Sequence, residues 1–151
     1  MVILPSGVTT QIVAVEGNLP AVRVQLADEI DASRGDVIAA ADDPPHTVPS
    51  VVATVAWMHD KPLLQGAHVL IKHATRTLKA VATVLHDKLD VTTLASDSQV
   101  SSIGLNEIGT VSFITSLSLP IDPYVLNRTM GSFIVIDPVT NATVGAGMIN
   151  R

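Results

Sequence analysis

The sequence predicts an all-β protein built on an antiparallel barrel, and three observations carry that expectation. Apolar runs of strand length, rich in Val, Ile and Thr, recur along the chain and are broken by Gly, Pro and Asn turn signals. Such branched side chains are restricted at χ1 and fit a pleated strand better than a helix. Aromatic residues are scarce, Trp57, Tyr124, Phe113 and Phe133 being the whole set, so the core has to be assembled from Val, Ile, Leu and Ala. No amphipathic stretch is long enough to dock as a lone helix, and short strands separated by turns fit a small barrel.

Taken in order, Met1–Leu4 reads as a strand ending in a turn at Pro5-Ser6-Gly7. Thr9–Val15 reads as a second strand, ended by Glu16-Gly17-Asn18. Ala21–Ala27 alternates, with Val22, Val24 and Leu26 on one face and Arg23 and Gln25 on the other, the period of a half-buried strand. A polar connection, Asp28–Asp36, precedes the apolar run Val37–Ala41. These strands are too few for a closed barrel, so residues 1–41 are expected to form a partial one.

Residues 42–49 hold three prolines and two adjacent acids, which favour extended backbone and deny a helix its start. They are expected to link the partial barrel to a complete one at residues 50–151. There Val51–Met58, His68–Lys72 and Thr77–Leu85 read as strands. Thr77–Leu85 also carries Leu78, Val81, Ala82 and Leu85 at helical spacing, but its Thr and Val content and β neighbours favour a strand. Asp90–Ser102 is a polar loop. Ile108–Leu119 alternates, with Val111, Phe113, Leu117 and Leu119 on one face, and Pro120 is expected to stop it; Asp122–Met130 is irregular. The chain then closes on a hairpin, Ser132–Ile136 against Ala142–Ile149. Its turn holds Asp137, Pro138 and Asn141, and Gly145 and Gly147 mark a bend or a close approach.

Net charge is −5. Residues 1–50 hold only Arg23 and Arg34 against Glu16, Asp28, Glu29, Asp31, Asp36, Asp42 and Asp43, while the remainder is balanced. An acidic chain is poorly suited to independent nucleic-acid binding, whose affinity comes mostly from Lys and Arg on phosphates. Cysteine is absent, excluding disulfides and thiolate metal sites. No apolar stretch reaches the roughly 20 residues of a membrane span, and Met1–Leu4 lacks the basic start of a signal peptide, so a cytoplasmic protein is expected.

Motifs for chemistry are missing. No Gly-Lys pair exists for a phosphate-cradling loop, and Gly145-Ala146-Gly147 opens no helix. Neither a hydrolase nucleophile elbow nor a His pair at metal-ligand spacing occurs; His46, His59, His68, His73 and His86 read as surface histidines at strand ends. Arg34-Gly35-Asp36 reads as a turn with Gly at its tightest point. The sequons at Asn127 and Asn141 matter only in a secreted chain. What stands out is a basic patch, Lys72, His73, Arg76 and Lys79, with Lys61 and Lys88 nearby in sequence, suited to an acidic partner face or a phosphate group, the simpler reading being a solvated strand face whose lysines discourage edge pairing.

A family resemblance rests on specific wording. Leu4-Pro5-Ser6-Gly7 with Thr9-Thr10, then Leu26–Asp36, looks like the second domain of the large GTPase subunit of bacterial sulfate adenylyltransferase. Trp57-Met58, Leu70–Thr77, Leu89–Leu94, Leu105–Gly109, Asp122–Tyr124, Asn127-Arg128 and Gly131–Ile149 resemble its third domain. That subunit is itself similar to elongation factor Tu, a GTP-binding domain followed by two barrels. The resemblance therefore implies a complete translation-factor-like β-barrel preceded by a partial second barrel. In the family the large subunit pairs with a small catalytic subunit, and together they make adenosine 5′-phosphosulfate from ATP and sulfate at the expense of GTP. Two departures stand out: nothing here resembles the GTPase domain, and the loop at Glu16–Pro20 is short. The resemblance thus implies no cofactor in this chain, GTP and magnesium belonging to the parent family. It also implies no catalytic residue, and a scaffold role in which the basic patch meets the small subunit or the GTPase domain. An RNA-binding translation-factor-like barrel and a stand-alone interaction module are the alternative readings.

Overall fold

A computed structural model describes residues 1–18 and 20–150, and every regular element in them is a β-strand. The first are β1 (Val2–Leu4), β2 (Val8–Thr9), β3 (Ile12–Asn18), β4 (Ala21–Leu26) and β5 (Val37–Ala39). They make two small antiparallel sheets, β2-β1-β5 and β3-β4, neither of which closes. The expected strand Thr9–Val15 is broken at Thr10 and Gln11. Thr10 turns its hydroxyl onto Asp28 Oδ2 (2.7 Å), and its N–H goes to the Met1 carbonyl. β3 then runs past its expected end, through Glu16 to Asn18; Leu19, in the short loop, lies outside the described residues.

The face expected in β4 is partly covered, Val24 and Leu26 being half-buried while Arg23 and Gln25 are exposed, but the ribbon it forms with β3 is otherwise open. Val13, Val15 and Val22 stay 61%, 59% and 48% exposed because the two-stranded ribbon has no second layer over it. Among the described residues of this part only Val2, Ile3 and Leu4 are buried apolar side chains, and they lie apart from the main core.

The main body comprises β6 (His46–Trp57), β7 (Leu63–Leu64), β8 (His68–His73), β9 (Arg76–Leu89), β10 (Ser96–Asp97), β11 (Ser102–Ile103), β12 (Ile108–Ile121), β13 (Ser132–Ile136) and β14 (Thr143–Ile149). Six of them form the antiparallel ring β9-β12-β6-β14-β13-β8, and β8 pairs back onto β9. This closed barrel leaves none of the six as an edge. The closing hairpin pairs as expected, β14 lying on β6 and β13 on β8, so it seals the ring. Asn141 turns it with φ +58°, and the Asp137 carboxylate accepts the N–H groups of Val139 and Thr140.

Register breaks explain where the strand reading strays. In β9, Leu78, Ala80 and Ala82 face inward; the register on β12 then slips, and Leu85 is next inside. That bulge at Thr83 produces the helix-like spacing. The supposed linker gives its last four residues to β6, which starts at His46. Pro49 falls where the β6–β12 register jumps from Ser50–Ile114 to Val48–Leu119, a place that needs no ladder N–H. Nor does Pro120 stop β12: it pairs with Thr47, and the strand reaches Ile121. Within the same bulge Leu117 is turned out, 58% exposed. Thr115 is buried instead, its hydroxyl donating to the carbonyls of Pro49 and Leu117.

The barrel interior is mostly aliphatic, with Phe113 and Phe133 meeting edge to face at 5.8 Å. Both closing glycines mark close approach. A Cβ on Gly147 would stand 2.3 Å from Phe133 Cζ, and one on Gly145 would stand 3.1 Å from Trp57 Cε3.

Three carboxylates are held below their ordinary range. Glu107 is lowered by the N–H of Gly104, then by Lys88; Asp90 by the N–H groups of Thr92 and Thr93; Asp137 by those of Thr140 and Val139. Lys88 is raised in turn, mainly by its hydrogen bond to Glu107. A depressed carboxylate contributes stability above its unfolded pKa and loses it as pH falls through the folded value. The urea midpoint is therefore expected to hold from neutrality to about pH 5 and to fall below about pH 4.5. Glu107→Gln should flatten part of that fall; an unchanged profile in the variant would remove Glu107 from the account.

Candidate functional site

The β8–β9 hairpin that carries the basic patch joins its strands through Ala74-Thr75, with Ala74 at φ +49°. Its register sets His73 opposite Arg76, Lys72 opposite Thr77 and Leu70 opposite Lys79. Successive strand residues point to opposite faces, so the patch divides. Lys72 and Lys79 face outward and are exposed. His73 points in and is 2% exposed, donating its Nε2–H to the Met130 carbonyl at 2.9 Å. It is not the surface histidine that its place in the strand suggests, and it fastens β8 to the loop before β13.

Arg76 is committed elsewhere as well. Its guanidinium reaches Asp36 at 3.0 Å, both side chains about four-fifths covered, and its stem lies over Gly35. Arg34-Gly35-Asp36 is thus a turn, with Gly35 at φ +103°, and it serves as the seat for this cation. The pair ties the N-terminal segment to the barrel. Lys88 lies nine positions along β9 from Lys79, roughly 30 Å for an extended strand, and is paired with Glu107 at 2.9 Å, so it does not join the patch.

One cationic residue missed in the sequence shares a groove with Lys72. The irregular stretch 122–130 folds back so that Tyr124 N–H meets the Ile149 carbonyl and Asn127 Oδ1 takes the N–H groups of Thr129 and Met130. This places the Arg128 guanidinium 6.0 Å from the Tyr124 ring centroid, at an open groove of about 720 Å³ that Lys72 also lines. The signal available was a Tyr and an Arg flanking Asn127 in a stretch that sequence reading leaves as irregular.

Among the described residues no three His, Asp or Glu side chains gather to hold a metal. Gly145 and Gly147 are packed beneath Trp57 and Phe133 within β14 and so belong to a strand rather than to a loop. No helix of the described residues is long and apolar enough to cross a membrane.

A closed six-stranded barrel carrying a separate N-terminal sheet segment is the architecture of translation-factor-like β-barrels. Two structures of sup35, complexed with GDP and with GMPPNP, superpose at TM-score 0.86 over 99% of this chain and 39% of theirs, at 17% identity. The chain belongs to the GTP-eEF1A C-terminal domain-like family, which matches residues 50–150. Over its full length it is 45% identical to the bifunctional enzyme CysN/CysC of Mycobacterium tuberculosis, covering 26% of that protein. It is 41% identical to sulfate adenylyltransferase subunit 1 of Colwellia psychrerythraea, covering 34%. The chain thus spans about a quarter to a third of the length of these curated relatives.

Proposed function

We propose that the chain is a non-catalytic barrel region of a sulfate adenylyltransferase large subunit, acting as scaffold and subunit interface. Its parent complex makes adenosine 5′-phosphosulfate from ATP and sulfate, coupled to GTP hydrolysis. The observation that carries the reading is the 45% identity extending over the whole chain rather than over the barrel alone. In this reading residues 1–41 and 50–151 belong to two barrels joined through 42–49, with the Arg76–Asp36 pair holding one against the other. GTP and magnesium are ligands of the parent held by residues other than these, and the small catalytic subunit is the partner. A translation-factor role on RNA is disfavoured by the net charge of −5.

Titration of the folded chain with the small catalytic subunit of the same organism, followed by calorimetry, tests this. Micromolar or tighter binding is expected. Lys72→Glu with Lys79→Glu, both exposed, should weaken it about tenfold by reversing the charge of the hairpin face. Arg76 is left intact because its loss would disturb Asp36. No binding by a folded chain overturns the interface role.

A further inference from the structure

The groove between the β8–β9 turn and the loop before β13 is chemically one-sided. Its floor is Ile134, Ala146 and Met148 on the outer face of β13 and β14, and its rims carry Lys72, Tyr124 and Arg128. No Asp or Glu lines it, in a chain with 14 acidic side chains against nine Lys and Arg. Neither Lys72 nor Arg128 has an ion-pair partner among the described residues, and both are exposed. Beside it Val125 and Leu126 stand 89% and 80% exposed on a loop that Asn127 holds in shape through Asp122, Thr129 and Met130. A loop so fixed, showing two large apolar side chains to water, has the make-up of a contact surface rather than a random excursion.

We propose that this groove docks an acidic, extended segment of a partner protein, its carboxylates on Lys72 and Arg128 and its apolar side chains on the floor and against Val125 and Leu126. Arginine in particular offers a planar fork to a carboxylate. Nucleic acid fits less well. Binding on phosphates draws on about six to ten contacts, and the groove supplies two cations and one Tyr, already faced by Arg128. An isolated phosphate would want converging backbone N–H groups, whereas the floor is strand backbone already paired within the barrel. The proposal stands on this chain's geometry and does not require the partner to be the small catalytic subunit.

The test is fluorescence anisotropy of the full chain with a short labelled peptide of alternating Glu and Leu. A Lys-Leu peptide and oligouridylate serve as comparison probes. The Glu-Leu peptide is expected to bind selectively. The affinity should fall at least about tenfold in Lys72→Glu with Arg128→Glu and stay unchanged in Lys61→Glu, with urea midpoints confirming that each variant is folded. Absence of binding, equal affinity in the double variant, equal affinity for the Lys-Leu peptide, or tighter binding of oligouridylate would each overturn the proposal. Peptide binding without affinity for the small subunit would sustain the groove and sink the subunit reading; the reverse result would do the opposite.

Discussion

Phe113→Ala is expected to lower stability by about 3–5 kcal/mol, the range for deleting a fully buried aromatic ring. Phe113 is 0% exposed and stands edge to face against Phe133, which itself covers Gly147 in the seam between β13 and β14. Removing the first ring leaves a cavity in a stiff interior and frees the second ring to tilt off the glycine. A domain of this size has about 5–15 kcal/mol in total, so the variant should lie near the edge of folding at room temperature. The urea midpoint is the measurement, with Phe113→Leu as a milder companion that keeps most of the volume. A drop of less than about 1 kcal/mol for the alanine variant would mean that the aromatic pair is not central to the barrel.

Gly131→Ala is expected to cost about 3 kcal/mol, the upper part of the usual range for overpacking. A Cβ at this position would stand 2.4 Å from Tyr124 Cα and 2.5 Å from its backbone N. Backbone cannot swing away as a side-chain tip does. The loop would have to detach, breaking Gly131 N–H to Asn127 O and disturbing Tyr124 N–H to Ile149 O. Because that loop carries Arg128, the variant should also lose affinity for the Glu-Leu peptide at temperatures where it remains folded. Arg128→Glu, by contrast, should alter binding without moving the urea midpoint. If Gly131→Ala kept both midpoint and affinity, the close packing of Tyr124 on β13 would not be what positions the groove.

The main barrel was largely legible because its strands announce themselves through side-chain type and turn chemistry. Ser132–Ile136 and the strand ending at Ile149 pair as expected around Asn141, and Gly145 and Gly147 sit where rings press against backbone. Errors cluster at register breaks. Period two puts Leu117 inside and proline chemistry ends the strand at Pro120, yet a bulge turns the first out and lets the second pair. Period-two reading assumes an unbroken ladder, and a bulge shifts every later residue by one. At residues 42–49 proline content argues for extended backbone, and 46–49 are strand; whether extended chain joins a ladder depends on a neighbour about 70 residues away in sequence, here Leu119–Ile121.

The basic patch shows the same division. Composition and spacing alone point to an all-β chain, acidic overall, with a run of cationic residues around a short turn; the resemblance to the sulfate adenylyltransferase large subunit comes instead from specific motifs. They also establish that phosphate-loop and thiolate-metal chemistry has no residues to work with. The packed structure settles which of those cations reach solvent: Lys72 and Lys79 do, His73 turns inward to Met130, and Arg76 is spent on Asp36. It also brings Arg128, from more than 50 residues along the chain, to the groove that Lys72 lines. The reason is physical. Side-chain type and local period are properties of neighbours in sequence, whereas burial, ion pairing and the sharing of a groove depend on distances that exist only once the ring of strands has closed.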